Sequence, residues 1–167
     1  MEEQISPISE ERSEFKEIVV EIKRTAKKTK GGDRLSFSCL AVVGNKAGMV
    51  GSGLGKAPSV RDAVKKAIRK AKRQMISFPI RGRAKTIPHE VRVYKDGCEI
   101  LLMPAPEGTG IRAGGAMRSV LEAGGIANIV ARRIGSRNKQ GNVNAVLIAL
   151  QELKELDKRV YKMKDRK

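Results

Sequence analysis

The chain has 167 residues, with 35 Lys and Arg against 18 Asp and Glu, a formal charge of +17 and an aromatic content of 3%. No run of about 18 apolar residues offers a membrane-spanning helix, and the Met-Glu-Glu-Gln start lacks the cationic and apolar regions of a signal peptide. Cys39 and Cys98, 59 positions apart, make neither a disulfide framework nor a four-ligand zinc site, so a cytoplasmic, reducing setting is expected.

In chain order, residues 1–14 are acidic and polar and predict a flexible tail. Residues 15–24 alternate as a strand, and 25–34 read as a basic turn closed by Gly31 and Gly32. A second strand over 35–43, a loop from Gly44 to Gly48 and a Gly-rich third strand from Met49 to Leu54 follow. Ser59 is a candidate N-cap, with Asp62 three positions on. Val60, Ala63, Val64, Ala67, Ile68, Ala71 and Met75 then recur on one helical face, opposite Arg61, Lys65, Arg69, Lys72 and Arg73. The pattern predicts a β-β-β-α layer over 15–76. Pro79, Gly82 and Pro88 mark 77–89 as a linker.

The second half, 90–156, reads β-β-α-β-α. Strands at 90–95 and 98–103 flank an Asp96-Gly97 hairpin turn. A Gly-rich loop from Glu107 to Gly115, a helix over 116–123, a strand over 126–134 and a helix from Asn142 complete it. Residues 157–167 form a basic tail. The fold class is α+β, built of two small α/β domains.

Charge points to the partner. Residues 18–85 hold 18 basic and three acidic residues, so they carry most of the field. Nucleic acid fits better than a membrane, because the cationic helix has no bulky aromatic anchor. The low aromatic content favours recognition of RNA backbone and shape over base stacking. Lys23, Arg24, Lys27, Lys28, Lys30 and Arg34, around Gly31 and Gly32, form the densest cluster, one that an anion would relieve. Arg61, Lys65 and Arg69 on the helix, Arg132, Arg133, Arg137 and Lys139 around Gly135, and Lys46 and Lys56 beside the Gly-rich strand are further RNA-binding candidates.

Enzymatic readings fare poorly. Gly51-Ser52-Gly53-Leu54-Gly55-Lys56 leads into a helix as a phosphate-binding loop does. However, Val50 stands where that motif needs Gly and Ala57 where it needs Ser or Thr. The alternative is a strand approached closely by another backbone. Gly108, Gly110 and Gly114 are spaced one residue too long for the dinucleotide fingerprint. His89 is the only histidine and reads as a linker hydrogen-bonding group. No catalytic residue, cofactor, metal site or small-molecule substrate is expected.

Several segments resemble one family. They are Lys30-Gly31-Gly32; Val42-Val43-Gly44 through Gly55-Lys56-Ala57; Thr86-Ile87-Pro88-His89-Glu90; Pro104 through Ile111 with Ala113-Gly114-Gly115-Ala116-Met117-Arg118; and Gly135-Ser136 with Asn142. In order and spacing over 15–155 they resemble the bacterial small-subunit ribosomal protein five family. The resemblance implies a double-stranded-RNA-binding-like first domain and a left-handed β-α-β crossover in the second, against the usual right-handed rule. It implies a structural, ribosome-bound protein that binds small-subunit ribosomal RNA and contacts small-subunit proteins four and eight. It also implies a place beside the channel by which messenger RNA enters, and a part in decoding fidelity. On this basis Lys27, Lys28, Lys30, Gly31 and Gly32 match the RNA-contacting loop. Gly108, Gly110, Arg112 and Arg118 match the protein interface.

Overall fold

The structure is a computed structural model and describes residues 15–153. The tails expected over 1–14 and 157–167 lie outside the described residues. Two sheets and three helices make up the α+β architecture. The first sheet contains β1 (Lys16–Thr29), β2 (Gly32–Gly44), β3 (Met49–Ala57) and β4 (Ile76–Ser77), antiparallel in that order, with α1 (Val60–Arg73) between β3 and β4. The second half contributes β5 (Val91–Lys95), β6 (Cys98–Pro104), β7 (Ile111–Arg112), α2 (Gly115–Gly124), β8 (Ile129–Gly135) and α3 (Lys139–Gln151). Its sheet runs β5-β6-β8-β7. β7 and β8 are parallel, joined across α2, so this half contains a β-α-β unit.

Strand alternation gives the first sheet two different faces. Cys39 and Ala41, together with Gly51, Gly53 and Gly55, point toward α1, which buries Ala63, Ala67 and Ala71 against them. Leu40, Val42 and Val50 point the other way. They join Ile100, Leu102, Val120, Leu121, Ile129, Val143 and Leu150 in one continuous core. The first sheet is therefore covered on one side by its own helix and on the other by the second half of the chain.

The stretch from 76 to 89 is woven into this core. Phe78 and Ile87 are buried, the Phe78 amide donates to Gly48 O at 2.9 Å, and Arg81 and Thr86 form a β-bridge.

The structure differs from the sequence expectations at several elements. Residues 25–34 are strand except for the two-residue turn Lys30-Gly31, because β1 and β2 stay in register from Thr29–Gly32 down to the sheet. Ser59 occupies the N-cap of α1 but makes no side-chain capping bond, so the expected capping box is absent there. α3 starts three residues earlier than expected, at Lys139, where Asn138 Oδ1 accepts from the Gln140 amide at 3.2 Å. β8 begins at Ile129, three residues later than the expected strand. The two-residue strands β4 and β7 had no counterpart in the sequence expectations.

Candidate nucleic-acid interface

The densest basic cluster becomes a projecting β-hairpin. β3 pairs with β2 only as far as Phe37–Ala57. Beyond the Arg24–Phe37 pair, residues 25–36 are a two-stranded ribbon extending about 17 Å, at ~3.4 Å per residue. Residues 25–35 are exposed on both faces. In register, Lys23 sits opposite Ser38, Lys27 opposite Arg34 and Lys28 opposite Asp33. Lys23, Lys27 and Arg34 therefore share one face, and Arg24 and Lys28 share the other. Lys30 and Gly31 form the tip. Gly32 follows at φ +119°, with Thr29 Oγ1 donating to its carbonyl at 2.7 Å. Lys27 and Arg34, like charges directly opposite one another, repel. No apolar cover compensates, so an anion placed between them would relieve the repulsion.

α1 supplies a second basic surface. Arg61, Lys65 and Arg69 are exposed along its outer side, while the alanine stripe faces the sheet. A Cβ on Gly51, Gly53 or Gly55 would come within 2.4, 2.2 or 2.2 Å of the carbonyl oxygens of Ala71, Ala67 and Ala63. The Gly-rich strand is thus a seat for a helix backbone. This is the close-approach reading of that motif, and it leaves the stretch no room to cradle a phosphate. Lys56 is exposed at the end of β3, opposite Ser38, and so joins the Lys23 face of the ribbon.

Other candidates separate. Alternation splits the Arg132-Arg133 pair between the two faces of the second sheet: Arg132 lies in register with Leu101 and Arg133 with the buried Ile100. Arg137 is exposed in the loop before α3. Lys139 reaches back to the base of the ribbon, 3.1 Å from Glu21, which also pairs with Lys23 at 3.2 Å. Lys46, with φ 55°, is at the far end of β2. Its amide donates to Ala123 O at 3.0 Å, beside the end of α2 and away from the hairpin tip.

One of the proposed protein-contact residues, Gly110, is held by an anchor that sequence reasoning missed, Asn128. This buried side chain accepts from the Gly110 amide at 2.9 Å through Oδ1 and donates from Nδ2 to Ala84 O at 2.6 Å. The Ile129 amide donates to Gly110 O at 3.0 Å, and the Ala127 amide to Lys85 O at 2.9 Å. The Gly-rich loop is thereby tied to the 76–89 stretch. Gly108 and Gly110 have φ of +87° and +69°, with open space where a Cβ would project. Arg112 is exposed on the edge strand β7, and Arg118 is exposed on α2. A lone asparagine between two apolar runs carries no sequence periodicity, so only the fold identifies it.

Electrostatic pairing tunes two carboxylates. Burial pushes Glu21 up, but hydrogen bonds and charge from Lys139 and Lys23 outweigh it and hold the group below the usual carboxylate range. Glu122 is also held low, by its hydrogen bond from Lys16 and by the charges of Lys16, Arg118 and Lys46. Cys39 is buried and its thiol is pushed up by desolvation; Cys98 is buried too. His89 Nδ1 lies 2.9 Å from Glu90 O. Among the described residues, no three His, Cys, Asp or Glu side chains gather as a metal site, and no helix is long and apolar enough to cross a membrane. What the arrangement offers chemically is fixed positive charge on a rigid frame.

Residues 15–79 match the family model "Ribosomal protein S5, N-terminal domain", and residues 95–164 match "Ribosomal protein S5, C-terminal domain". The chain is 47% identical over 154 residues to the small ribosomal subunit protein uS5 of Thermotoga petrophila, covering 91% of this chain and 84% of that protein. It is 40% identical over 152 residues to the uS5c protein of Cyanophora paradoxa, covering 91% and 89%. It is 46% identical over 145 residues to the uS5 protein of Mycoplasmopsis agalactiae, covering 87% and 62%. The chain belongs to the ribosomal protein S5 family, the non-enzymatic, ribosome-bound constituents of the small subunit.

Proposed function

We propose that the chain grips small-subunit ribosomal RNA with the β1–β2 ribbon and the outer side of α1. In this reading Lys23, Arg24, Lys27, Lys28, Lys30 and Arg34 neutralise phosphates, and Gly31 lets the tip approach the RNA backbone. Lys56, Arg61, Lys65 and Arg69 extend the contact, and Arg132, Arg133, Arg137 and Lys46 touch RNA at separate points. The surface of Gly108, Gly110, Arg112 and Arg118 faces small-subunit protein four, and the chain also contacts protein eight. From there the protein lines the channel by which messenger RNA enters and biases subunit conformations that set decoding accuracy. The units of this proposal are 15–76 and 90–156, joined through 77–89.

The observation that carries the reading is the exposed two-stranded ribbon with Lys27 opposite Arg34. A structural role alone gives no reason for opposed like charges on an element with so little cover. Substituting Lys27, Lys28 and Lys30 together by Ala tests it, using binding to a small-subunit ribosomal RNA fragment across a salt series. The slope of log K against log salt should flatten by about 0.7–0.9 for each phosphate that is no longer neutralised. An unchanged slope would remove the ribbon from the interface.

A further inference from the structure

We propose that the outer face of the second sheet is a separate platform for unpaired RNA, on which Tyr94 stacks against a base while Arg92 and Arg132 hold phosphates. The inner face of this sheet is core: Val91, Val93, Ile100, Leu102, Ile129 and Ala131 are buried there. The outer face alternates with it and forms three cross-strand rows. Tyr94, Glu99 and Ile134 make the first, Arg92, Leu101 and Arg132 the second, and Met103, Val130 and Arg112 the third. Rows lie about 6.6 Å apart along the strands, and neighbours within a row about 4.8 Å apart.

Tyr94 is 74% exposed and Ile134 43% exposed, in one row with Glu99 between them. In a chain with 3% aromatic residues, this ring stands outward near the end of the edge strand β5. Arg92 and Arg132 are exposed in the next row, and Arg112 is exposed on the opposite edge strand, about 20 Å from Tyr94 by these spacings. The one carboxylate on these rows, Glu99, already pairs with Arg92, so the face keeps net positive charge and matches an anion.

A ring flanked by guanidinium groups on a sheet is the chemistry that receives a splayed base and its flanking phosphates. A protein is the competing occupant, because Tyr, Met and Arg are all common in protein interfaces; the excess of three arginines over one already paired carboxylate on these rows favours an anionic partner. A duplex fits less well too, because its bases are stacked internally and offer Tyr94 no open ring face. The platform is carried by other residues than the ribbon, so it stands or falls independently of the hairpin assignment.

The test uses the full chain with Lys27, Lys28 and Lys30 already substituted by Ala, which lowers the ribbon's electrostatic background. Binding of a fluorescein-labelled oligouridylate and of a labelled RNA duplex is read by anisotropy for this background and for Tyr94→Ala and Tyr94→Phe added to it. Tyr94→Ala should weaken the oligouridylate about tenfold or more. Tyr94→Phe should stay within about twofold of the background, because it keeps the ring. Duplex binding should not change. Absence of oligouridylate binding, equal affinity in Tyr94→Ala, equal losses in the Phe and Ala variants, or a parallel loss on duplex would each overturn the platform.

Discussion

At the residue scale, glycine spacing is the most informative signal, and its meaning depends on which backbone comes near. Gly51, Gly53 and Gly55 repeat every second residue, the period of one strand face. Ala63, Ala67 and Ala71 repeat every fourth, the period of one helix face. Both patterns are legible in the sequence; that they meet each other, rather than a phosphate, is a tertiary fact. The meeting makes Gly53 intolerant. A Cβ there would sit 2.2 Å from Ala67 O and 2.6 Å from the Ala71 nitrogen, so α1 must lift from the sheet. Gly53→Ala should cost about 1–3 kcal/mol, as overpacking does. It should lower the urea midpoint with an unchanged m-value. Gly31→Ala, at the open ribbon tip with nothing within 4 Å, is the control and should leave the midpoint in place. Equal midpoints for the two variants would refute the close-packed seat.

At the element scale, the strands and helices that bury one face were readable, and those that do not were missed. The ribbon beyond Phe37 has polar residues on both faces, so no alternation of apolar and polar distinguishes it from a loop. β4 and β7 are two residues long and exist only because β3 and β8 supply their partners. α3 is surrounded by protein, burying Gly141, Asn142, Val143, Ala145, Val146, Ala149 and Leu150. A helix covered on several sides has no clean polar stripe to mark its start. What fixes the elements to one another includes charge: Lys16 pairs with Glu122 of α2, Lys72 with Glu17 at 2.8 Å, and Lys139 with Glu21 at 3.1 Å. Glu21 and Glu122 are more acidic in the folded chain than their ordinary value of 4.5. Their contribution to stability is therefore fully present above that value and is lost as pH falls through the lower folded values. The urea midpoint should drop between pH 6 and pH 3. Glu122→Gln, which removes one of the two depressed groups, should make that drop smaller. A drop of the same size in Glu122→Gln would remove this pair from the acid response.

At the scale of the whole molecule, the sequence divides at the Pro- and Gly-containing stretch, yet the core does not. Leu40, Val42 and Val50 of the first sheet are buried in the same cluster as the second half's Ile100, Leu121 and Val146. The contact is a backbone one as well. Lys46 N donates to Ala123 O and Gly48 N to Gly124 O, each at 3.0 Å, and a Cβ on Gly44 would lie 2.2 Å from Ala123 O. Burying a side chain such as Val42 contributes about 1.5–3 kcal/mol, and this part of the first sheet's stability exists only while the second half is folded beneath it. The two halves should therefore unfold together. Calorimetry of the intact chain should give a single transition whose van't Hoff and calorimetric enthalpies agree. Gly44→Ala, which wedges the sheet away from α2, should lower that one transition and leave it single. Two resolved transitions, or a Gly44→Ala effect confined to one of them, would mean that each half holds itself together. Such a result would also loosen the frame on which the ribbon and the Tyr94 face keep a fixed separation, and RNA bound at one could then no longer orient the other.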